Sequence, residues 1–226
     1  MYKNIKLLNY KEHNFYRYTA PDNLYFSKDL NLVPITFTET ALLCCEFPIV
    51  IIKGADGLML TILTGEKSNN ALDESGKWSG DYLPAFIRKY PFILSKVADN
   101  DDKLHIAFDM ESGCFNSPEG EPLFDSNGEP SAIIKDSMKL LESIAKEMNI
   151  TSSILNRLDE YGVLDESSYT VNKEGEEPRQ VGGFYIINRE KISKLDDEKL
   201  LTISKNGWMQ MIELHSLSLK NINRLG

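Results

Sequence analysis

The sequence predicts an α+β fold with an antiparallel sheet in a strand-rich N-terminal half, helices in the later middle and a closing strand. Short apolar runs rich in β-branched residues, separated by turn signals, occupy the first half of the chain. Apolar residues recur at the helical period between 131 and 162 instead. The sequence contains no internal repeat, so we treat 1–226 as one domain with a possible subdomain change near 112–130.

A hairpin is the clearest element that the first half predicts. Strand patterns cover 48–53 and 58–64, and the glycine-containing turn 54–57 joins them. Two more strands are expected at 90–96 and 104–109, separated by an acidic turn at 99–102.

The second half alternates between loop, helix and strand. Glycine and proline punctuate 112–130, a helix is predicted from 131 to 148, and Thr151 is expected to cap a second helix ending near Gly162. The remaining expected elements are, in order, a solvated turn, a strand, a helix and a closing strand, at 173–178, 184–187, 196–206 and 208–214.

Charge and composition exclude several classes of protein. The 226 residues include 42% hydrophobic side chains, which excludes a disordered chain. Lys and Arg number 25 against 34 Asp and Glu, for a net charge of −9. This acidic balance argues against binding of nucleic acid and against attachment to anionic lipid, so we predict neither partner.

The chain also lacks the expected marks of export. No N-terminal apolar core suits a secretory signal, and the longest apolar stretch, 47–52, is far shorter than the roughly 20 residues that span a bilayer. Its three cysteines, Cys44, Cys45 and Cys114, cannot all pair. We therefore predict a cytoplasmic protein with reduced thiols, for which an oligomer remains open.

Cysteine chemistry has few candidates. Residues 41–46 fit either a strand or a short helix. On a strand, the neighbours Cys44 and Cys45 would point to opposite faces and could not chelate together, and we expect both to be buried. Cys114 follows a glycine in a loop and is the best candidate for a reactive thiol, although burial is the commoner role of such a residue.

Motifs for metal and phosphate chemistry are absent from the sequence. No phosphate-binding glycine loop, CxxC pair or HExxH occurs. His105 and Asp109 on one strand would stand about 13 Å apart. A convergence of His13, His105 and His215 on iron or zinc stays open, but isolated histidines are favoured, and we predict no metal and no cofactor. The acidic residues 99–102 lack the order of a calcium loop and suit a solvated turn.

The densest cluster of aromatic and basic side chains lies at 76–92, and we call it the aromatic–basic block. Its sequence is GKWSGDYLPAFIRKYPF. We predict that Trp78, Tyr82 and Tyr90 stack on a ligand and that Arg88 and Lys89 bind its carboxylate or phosphate.

A core junction is the alternative interpretation of the same block. Trp78, Phe86 and Phe92 would then pack inside the protein, and Arg88 would pair with one of the many acidic side chains. The residues alone leave these two interpretations close to even.

The aromatic–basic block resembles the strongest signature of the bacterial SapC family, a W-x3-Y-[IL]-P-A-F-[IL]-R-[RK]-Y-P-F run. The matching residues are Trp78, Tyr82, Pro84, Ala85, Phe86, Arg88, Tyr90, Pro91 and Phe92. Lys89 stands where a second arginine is usual, and Asn70-Ala71 replaces the usual Leu-Phe after Asn69. Further similar blocks follow in order along almost the whole chain, around 31–39, 47–50, 69–76, 120–128, 183–185 and 215–225.

The resemblance implies a role connected with bacterial surface layers, from which the family takes its name. Our leading hypothesis is an accessory protein of surface-layer or surface-protein biogenesis that binds a peptide or protein partner through the aromatic–basic block. Because some relatives sit near genes for oxidative tailoring enzymes, one alternative is a metal-dependent tailoring enzyme, for example one that uses iron and 2-oxoglutarate. It would use some of Glu39, His105, Asp109 and His215. A further alternative is an exported surface-layer component.

Overall fold

The computed structural model of the chain describes residues 1–55, 57–96, 104–115, 118–171, 177 and 179–225. Antiparallel sheets and helices concentrated in the later part confirm the predicted α+β class. The strands are β1 Ile5–Leu7, β2 Arg17–Tyr18, β3 Leu32–Pro34, β4 Ile49–Gly54, β5 Gly57–Leu63, β6 Phe92–Lys96, β7 Leu104–Asp109, β8 Glu121–Pro122, β9 Leu164–Val171 and β10 Arg179–Ile187.

The described residues also form seven α-helices and three short 3₁₀ helices. The α-helices are α1 Tyr10–His13, α2 Thr40–Leu43, α3 Ala85–Arg88, α4 Ala132–Glu160, α5 Arg189–Ile192, α6 Asp197–Lys205 and α7 Trp208–Ser218. The 3₁₀ helices are Tyr25–Ser27, Phe37–Glu39 and Leu219–Arg224. Within the described residues, none of these helices combines the length and the apolar character that crossing a bilayer requires.

Two antiparallel sheets dominate the fold. The larger has the strand order β3-β5-β4-β10-β9, and the smaller has the order β1-β7-β6. The predicted hairpin is confirmed as β4 and β5, with Ile51 opposite Leu60 and Gly54 opposite Gly57. Gly57 has a φ of 115°, a left-handed value that favours glycine at this turn. The strands predicted at 90–96 and 104–109 are confirmed as β6 and β7.

The helix pair predicted at 131–148 and 151–162 is wrong, because one continuous helix, α4, covers both. No glycine or proline interrupts the sequence between them. Thr151 does not cap a helix there; its hydroxyl donates to the Glu147 carbonyl at 2.7 Å, within the helix. The predicted end near Gly162 is correct, since that residue follows the helix with a φ of 70°.

The closing strand predicted at 208–214 is a helix, α7. Met211, Ile212, His215 and Ser218 are buried, and their spacing of one, three and three residues follows the helical period. The apolar residues of this segment match neither the strand period nor the helical period cleanly, so the local pattern alone does not distinguish a strand from a helix. β10 is the last strand among the described residues.

Sequence patterns also missed β9, which runs at the edge of the larger sheet. Its sequence, LDESSYTV, carries mostly polar residues because only part of an edge strand faces the core. The acidic turn predicted at 99–102 lies outside the described residues, as does the turn predicted at 173–178 apart from residue 177.

Residues 41–46 adopt the helical alternative, with α2 followed by turns. Cys44 and Cys45 are therefore not on opposite faces of a strand, and their Sγ atoms lie 3.9 Å apart. Cys44 is buried as expected, whereas Cys45 is exposed.

The helix α4 connects the two main parts of the core. Leu155 and Leu158 join the cluster on the larger sheet, which also contains Ile49, Ile51, Leu60 and Ile62. Ile134 and Leu141, nearer the start of α4, join a second cluster with Phe92, Phe108 and Phe115. The aromatic–basic block contributes side chains to both clusters, with Ile87 in the first and Phe92 in the second.

Candidate functional site

A buried carboxylate, Glu39, anchors the middle of the aromatic–basic block. Only 3% of its surface is exposed. Its Oε1 accepts hydrogen bonds from the Tyr82 hydroxyl at 3.0 Å and the Ala85 backbone N–H at 2.7 Å. Its Oε2 accepts from the Thr36 backbone N–H at 2.8 Å and the Thr36 hydroxyl at 3.1 Å. Oε1 therefore joins the block to the segment before α2, and Oε2 caps the 3₁₀ helix of that segment.

A second buried carboxylate, Asp109, anchors the end of the block. Its oxygens accept hydrogen bonds from the backbone N–H groups of Lys3, Asn4 and Glu111 and from the Tyr90 hydroxyl, at 2.9 to 3.1 Å. Burial alone would raise the pKa of this carboxyl, but these donors outweigh burial and lower the pKa. Asp109 is thus held ionised as a structural acceptor.

Tyr90 is buried beside Asp109 and does not face solvent. Its ring stacks on Phe26 with 4.0 Å between centroids, and the Tyr2 ring lies 5.4 Å away. Burial, followed by the hydrogen bond to Asp109, raises the pKa of the Tyr90 hydroxyl. The stacking role predicted for Tyr90 does not fit this placement, because its ring already has protein partners.

Trp78 is half-buried and packs against the larger core cluster. Its ring centroid lies 5.4 Å from that of Phe47. The indole Nε1 is buried without a hydrogen-bond partner in the described part of the chain. A Cβ on Gly80 would lie 2.8 Å from this nitrogen, so a glycine is needed for the loop to pass so closely. Trp78 therefore fits the core-junction interpretation for most of its surface.

The exposed Arg88 and the half-buried Tyr82 lie together at the surface of the block. The Arg88 Nη2 donates to the Tyr82 hydroxyl at 2.9 Å, and the guanidinium carbon lies 5.3 Å from the centroid of that ring. Burial, followed by the nearby Glu39 charge, raises the pKa of the Tyr82 hydroxyl, which keeps it protonated. Among the described residues, Arg88 forms no ion pair with an acidic side chain.

Lys89 faces a different environment from its neighbour Arg88. It is half-buried, and its Nζ lies 4.5 Å from the centroid of the Phe86 ring. Burial lowers the pKa of its ammonium group. Lys89 and Phe86 line an apolar pocket of about 340 Å³ next to α4. The structure therefore separates the basic pair that the sequence treated as one clamp.

Sequence reasoning missed this pocket. Its lining comes from β3, β5, the neighbouring α3 and β6, and α4, which are separated by long stretches of chain apart from α3 and β6. The only local signal was the spacing of Phe86 in α3 and Lys89 directly after it, since residues three apart lie on one face of a helical turn.

The three histidines do not provide a metal centre within the described residues. No group of three or more His, Cys, Asp or Glu side chains there is arranged to hold a metal ion, so Glu39, His105, Asp109 and His215 form no such group. His215 is fully buried, neither of its ring nitrogens has a hydrogen-bond partner in that part of the chain, and burial lowers its pKa to about 4. His13 is buried separately against Phe108.

Cys114 is buried in its loop rather than accessible. Burial raises the pKa of its thiol, against the lowering effect of the hydrogen bond with Ser112. A raised pKa leaves less of the nucleophilic thiolate, so this environment does not favour the reactive-thiol interpretation.

Comparison with known families gives one match over almost the whole chain. The family model described as SapC matches residues 8–225 and therefore includes the entire aromatic–basic block. No curated protein and no solved structure matches the chain significantly.

Proposed function

The chain belongs to the SapC family, and on this premise we propose that it is a cytoplasmic accessory protein of bacterial surface-layer or surface-protein biogenesis. In this proposal it binds a peptide or protein partner through the exposed part of the aromatic–basic block. The family match supports the connection with surface layers, and the geometry of the block supports the binding role.

The state of Arg88 carries the proposal. Its guanidinium is exposed, it is oriented by the Tyr82 hydroxyl, and no acidic side chain in the described residues neutralises it. Tyr82 is itself held by the buried Glu39 at 3.0 Å. A guanidinium held in one orientation loses less freedom when it forms a paired hydrogen bond with a carboxylate. This arrangement suits an acidic side chain or the terminal carboxylate of a partner.

Binding to peptides tests this proposal. Peptides tiled across the surface proteins of the source bacterium are screened against the protein, and the best binder is titrated by fluorescence anisotropy. We expect Arg88→Ala to weaken binding by roughly tenfold or more, since hydrogen bonds between charged groups contribute more than neutral ones. The control is Arg189→Ala, an exposed arginine that already pairs with Glu213 at 2.9 Å, and it should leave the affinity unchanged.

The peptide itself supplies a second control. Replacing its carboxylates by amides should weaken binding to the wild type and make no further difference in Arg88→Ala. Equal affinities for the wild type and Arg88→Ala, or an amide effect of equal size in both, would remove Arg88 from the site.

The proposed location rests on the thiols. All three cysteines are free, as expected for a protein kept in a reducing compartment. Fractionation of the source bacterium should find the protein in the cytosol, and its recovery in surface extracts alone would contradict the cytoplasmic part of the proposal.

A further inference from the structure

The apolar pocket beside α4 has the size and lining of a small-molecule site. Its volume of about 340 Å³ falls within the range of ligand-binding cavities. Most of its wall is aliphatic, and the residues that matter here are Leu58, Leu60, Ile93, Leu141, Ile144 and Met148. The pocket lies where the two main core clusters meet, since Leu60 belongs to one and Leu141 to the other.

Lys89 is the single charged residue among those described as lining the pocket. Its Nζ contacts the Phe86 ring, and it forms no ion pair with an acidic side chain in the described residues. A half-buried ammonium with only an aromatic ring for a partner has lost part of its hydration without a compensating anion. The pocket is therefore complementary to a negative charge at this one point.

The polar groups of the pocket are too few for a peptide backbone. Asn149, Thr151 and Ser152 are the only uncharged polar residues among the described lining residues. The Thr151 hydroxyl already accepts from the Phe37 backbone N–H at 2.8 Å and donates to the Glu147 carbonyl. A peptide segment would bury amide groups that need hydrogen-bond partners, whereas an alkyl chain needs none.

We propose that this pocket binds an aliphatic carboxylate, a medium-chain fatty acid, with its carboxylate on the Lys89 ammonium and its chain against α4, β5 and β6. The aliphatic wall removes the chain from water, and the ion pair forms where surrounding apolar groups strengthen it. This site is separate from the Arg88 surface, so the proposal stands or falls independently of the peptide-binding function.

Calorimetric titration with sodium decanoate below its micelle concentration tests the proposal directly. We expect saturable binding that strengthens from hexanoate to octanoate to decanoate, by roughly fourfold for each methylene buried. Decanol, which has no charge, should bind more weakly, and decylammonium should not compete. No saturable binding of decanoate, or equal binding of decylammonium, would overturn the proposal.

Substitutions of Lys89 test the role of its charge. Lys89→Met removes the charge but leaves an unbranched side chain of similar length, and it should weaken decanoate binding by roughly tenfold or more. Lys89→Arg should retain most of the affinity. Lys135→Met, an exposed lysine on α4 that does not line the pocket, is the matched control and should bind as the wild type does. Unchanged affinity in Lys89→Met would overturn the proposal.

A second pair of substitutions tests the cavity itself. Ala145 lines the pocket, and Ala145→Phe should fill it and abolish decanoate binding. Ser143→Phe places the same ring on an exposed position of the same helix and should leave binding intact. Thermal unfolding checks that each variant folds, and if Ala145→Phe does not, the comparison of Lys89→Met with Lys89→Arg decides the result. Decanoate binding to a folded Ala145→Phe with wild-type affinity would overturn the proposal.

Arg88→Ala separates the two proposals. It should lose peptide affinity and keep decanoate affinity, while Lys89→Met should do the reverse. Loss of decanoate binding in a folded Arg88→Ala would place the carboxylate at Arg88 and overturn its assignment to Lys89.

Discussion

At the scale of single residues, two buried acids explain the tyrosines of the aromatic–basic block. Glu39 accepts the Tyr82 hydroxyl and Asp109 accepts the Tyr90 hydroxyl, and each also accepts backbone N–H groups. In the sequence these acids were candidate ligands for a metal. A carboxylate that coordinates a metal and one that accepts backbone hydrogen bonds look the same in a sequence, and only their neighbours in space distinguish them.

His215 is the buried residue with the clearest consequence for pH dependence. Burial lowers the pKa of its imidazole from 6.5 to about 4, because charging it inside the protein is unfavourable. The unfolded chain therefore binds a proton near pH 6.5 that the folded protein does not bind until about pH 4. Above pH 6.5 His215 is neutral in both states and does not lower the free energy of unfolding. As the pH falls from 6.5 toward 4, protonation of the unfolded chain lowers that free energy.

The first prediction removes this effect with His215→Leu. From pH 7.5 to 4.5 the wild type should lose about 2 to 3 kcal/mol of unfolding free energy through His215, and the variant should lose that much less. At pH 7.5 the variant should be at least as stable, since it removes two buried nitrogens that have no hydrogen-bond partner among the described residues. Urea unfolding at the two pH values measures both quantities.

The control for this prediction is Met211→Leu, a conservative change at another buried position of α7, which keeps His215 and should keep the wild-type loss. An equal loss of stability in His215→Leu and the wild type would show that His215 does not titrate as proposed.

At the scale of elements, the four-residue helix α3 explains why the basic pair separates. Successive residues of a helix point about 100° apart. Arg88 therefore lies with Tyr82 at the surface, while Lys89 lies with Phe86 at the pocket. The sequence places the two cations side by side, but the turn of the chain at the end of this short helix gives them different surroundings.

The long helix α4 is joined to the segment before α2 through Thr151. The hydroxyl of this residue accepts a hydrogen bond from the Phe37 backbone N–H at 2.8 Å and donates one to the Glu147 carbonyl. Phe37 begins the 3₁₀ helix that ends at Glu39. The same hydroxyl thus connects α4 to the anchor of the aromatic–basic block.

The second prediction is that Thr151→Val destabilises the protein by about 1 to 3 kcal/mol. Valine has nearly the same shape but leaves the Phe37 N–H without its partner. Thr202→Val is the matched control. The Thr202 hydroxyl also donates to the carbonyl four residues earlier, that of Glu198, at 2.9 Å, and no backbone N–H of the described residues donates to it. Urea unfolding compares the two, and equal losses would contradict the connecting role of Thr151.

At the scale of the whole molecule, both halves of the chain contribute to the larger sheet. The strands β3, β4 and β5 come from before residue 64, and β9 and β10 come from after residue 163. The helix α4, from the second half, packs against both core clusters. The composition change near 112–130 therefore does not coincide with a division of the sheet, and these pairings favour one domain.

The third prediction concerns the two pieces 1–117 and 118–226. Expressed separately, neither should give the dispersed amide NMR spectrum of a folded protein, since each loses sheet partners and part of the core. The control is the intact chain carrying a protease site after residue 117. Its amide NMR spectrum should be dispersed before cleavage. A dispersed spectrum from either piece alone would show two independent domains and contradict the prediction.

Local patterns predicted much of the fold but less of the site. The hairpin, β6, β7 and α6 follow from period and turn residues that lie within a few positions of one another. The prediction of a strand at 208–214 was wrong, and the polar strand β9 was not predicted. In both segments the set of buried residues depends on which neighbouring elements cover them, and the local sequence does not show this. The segment that holds the aromatic–basic block could be predicted from the sequence, but which of its side chains are buried and which are exposed could not.

The sequence by itself determined the α+β class, the family and the segment in which aromatic and basic residues concentrate. These depend on composition, short-range period and ordered motifs, which the chain carries without folding. Only the tertiary structure decided that Tyr90 is buried, that Arg88 is exposed and that Lys89 lines an apolar pocket. The reason is that each of these environments is made by residues distant in sequence, such as Glu39, Asp109 and the α4 wall, which come together only when the core packs.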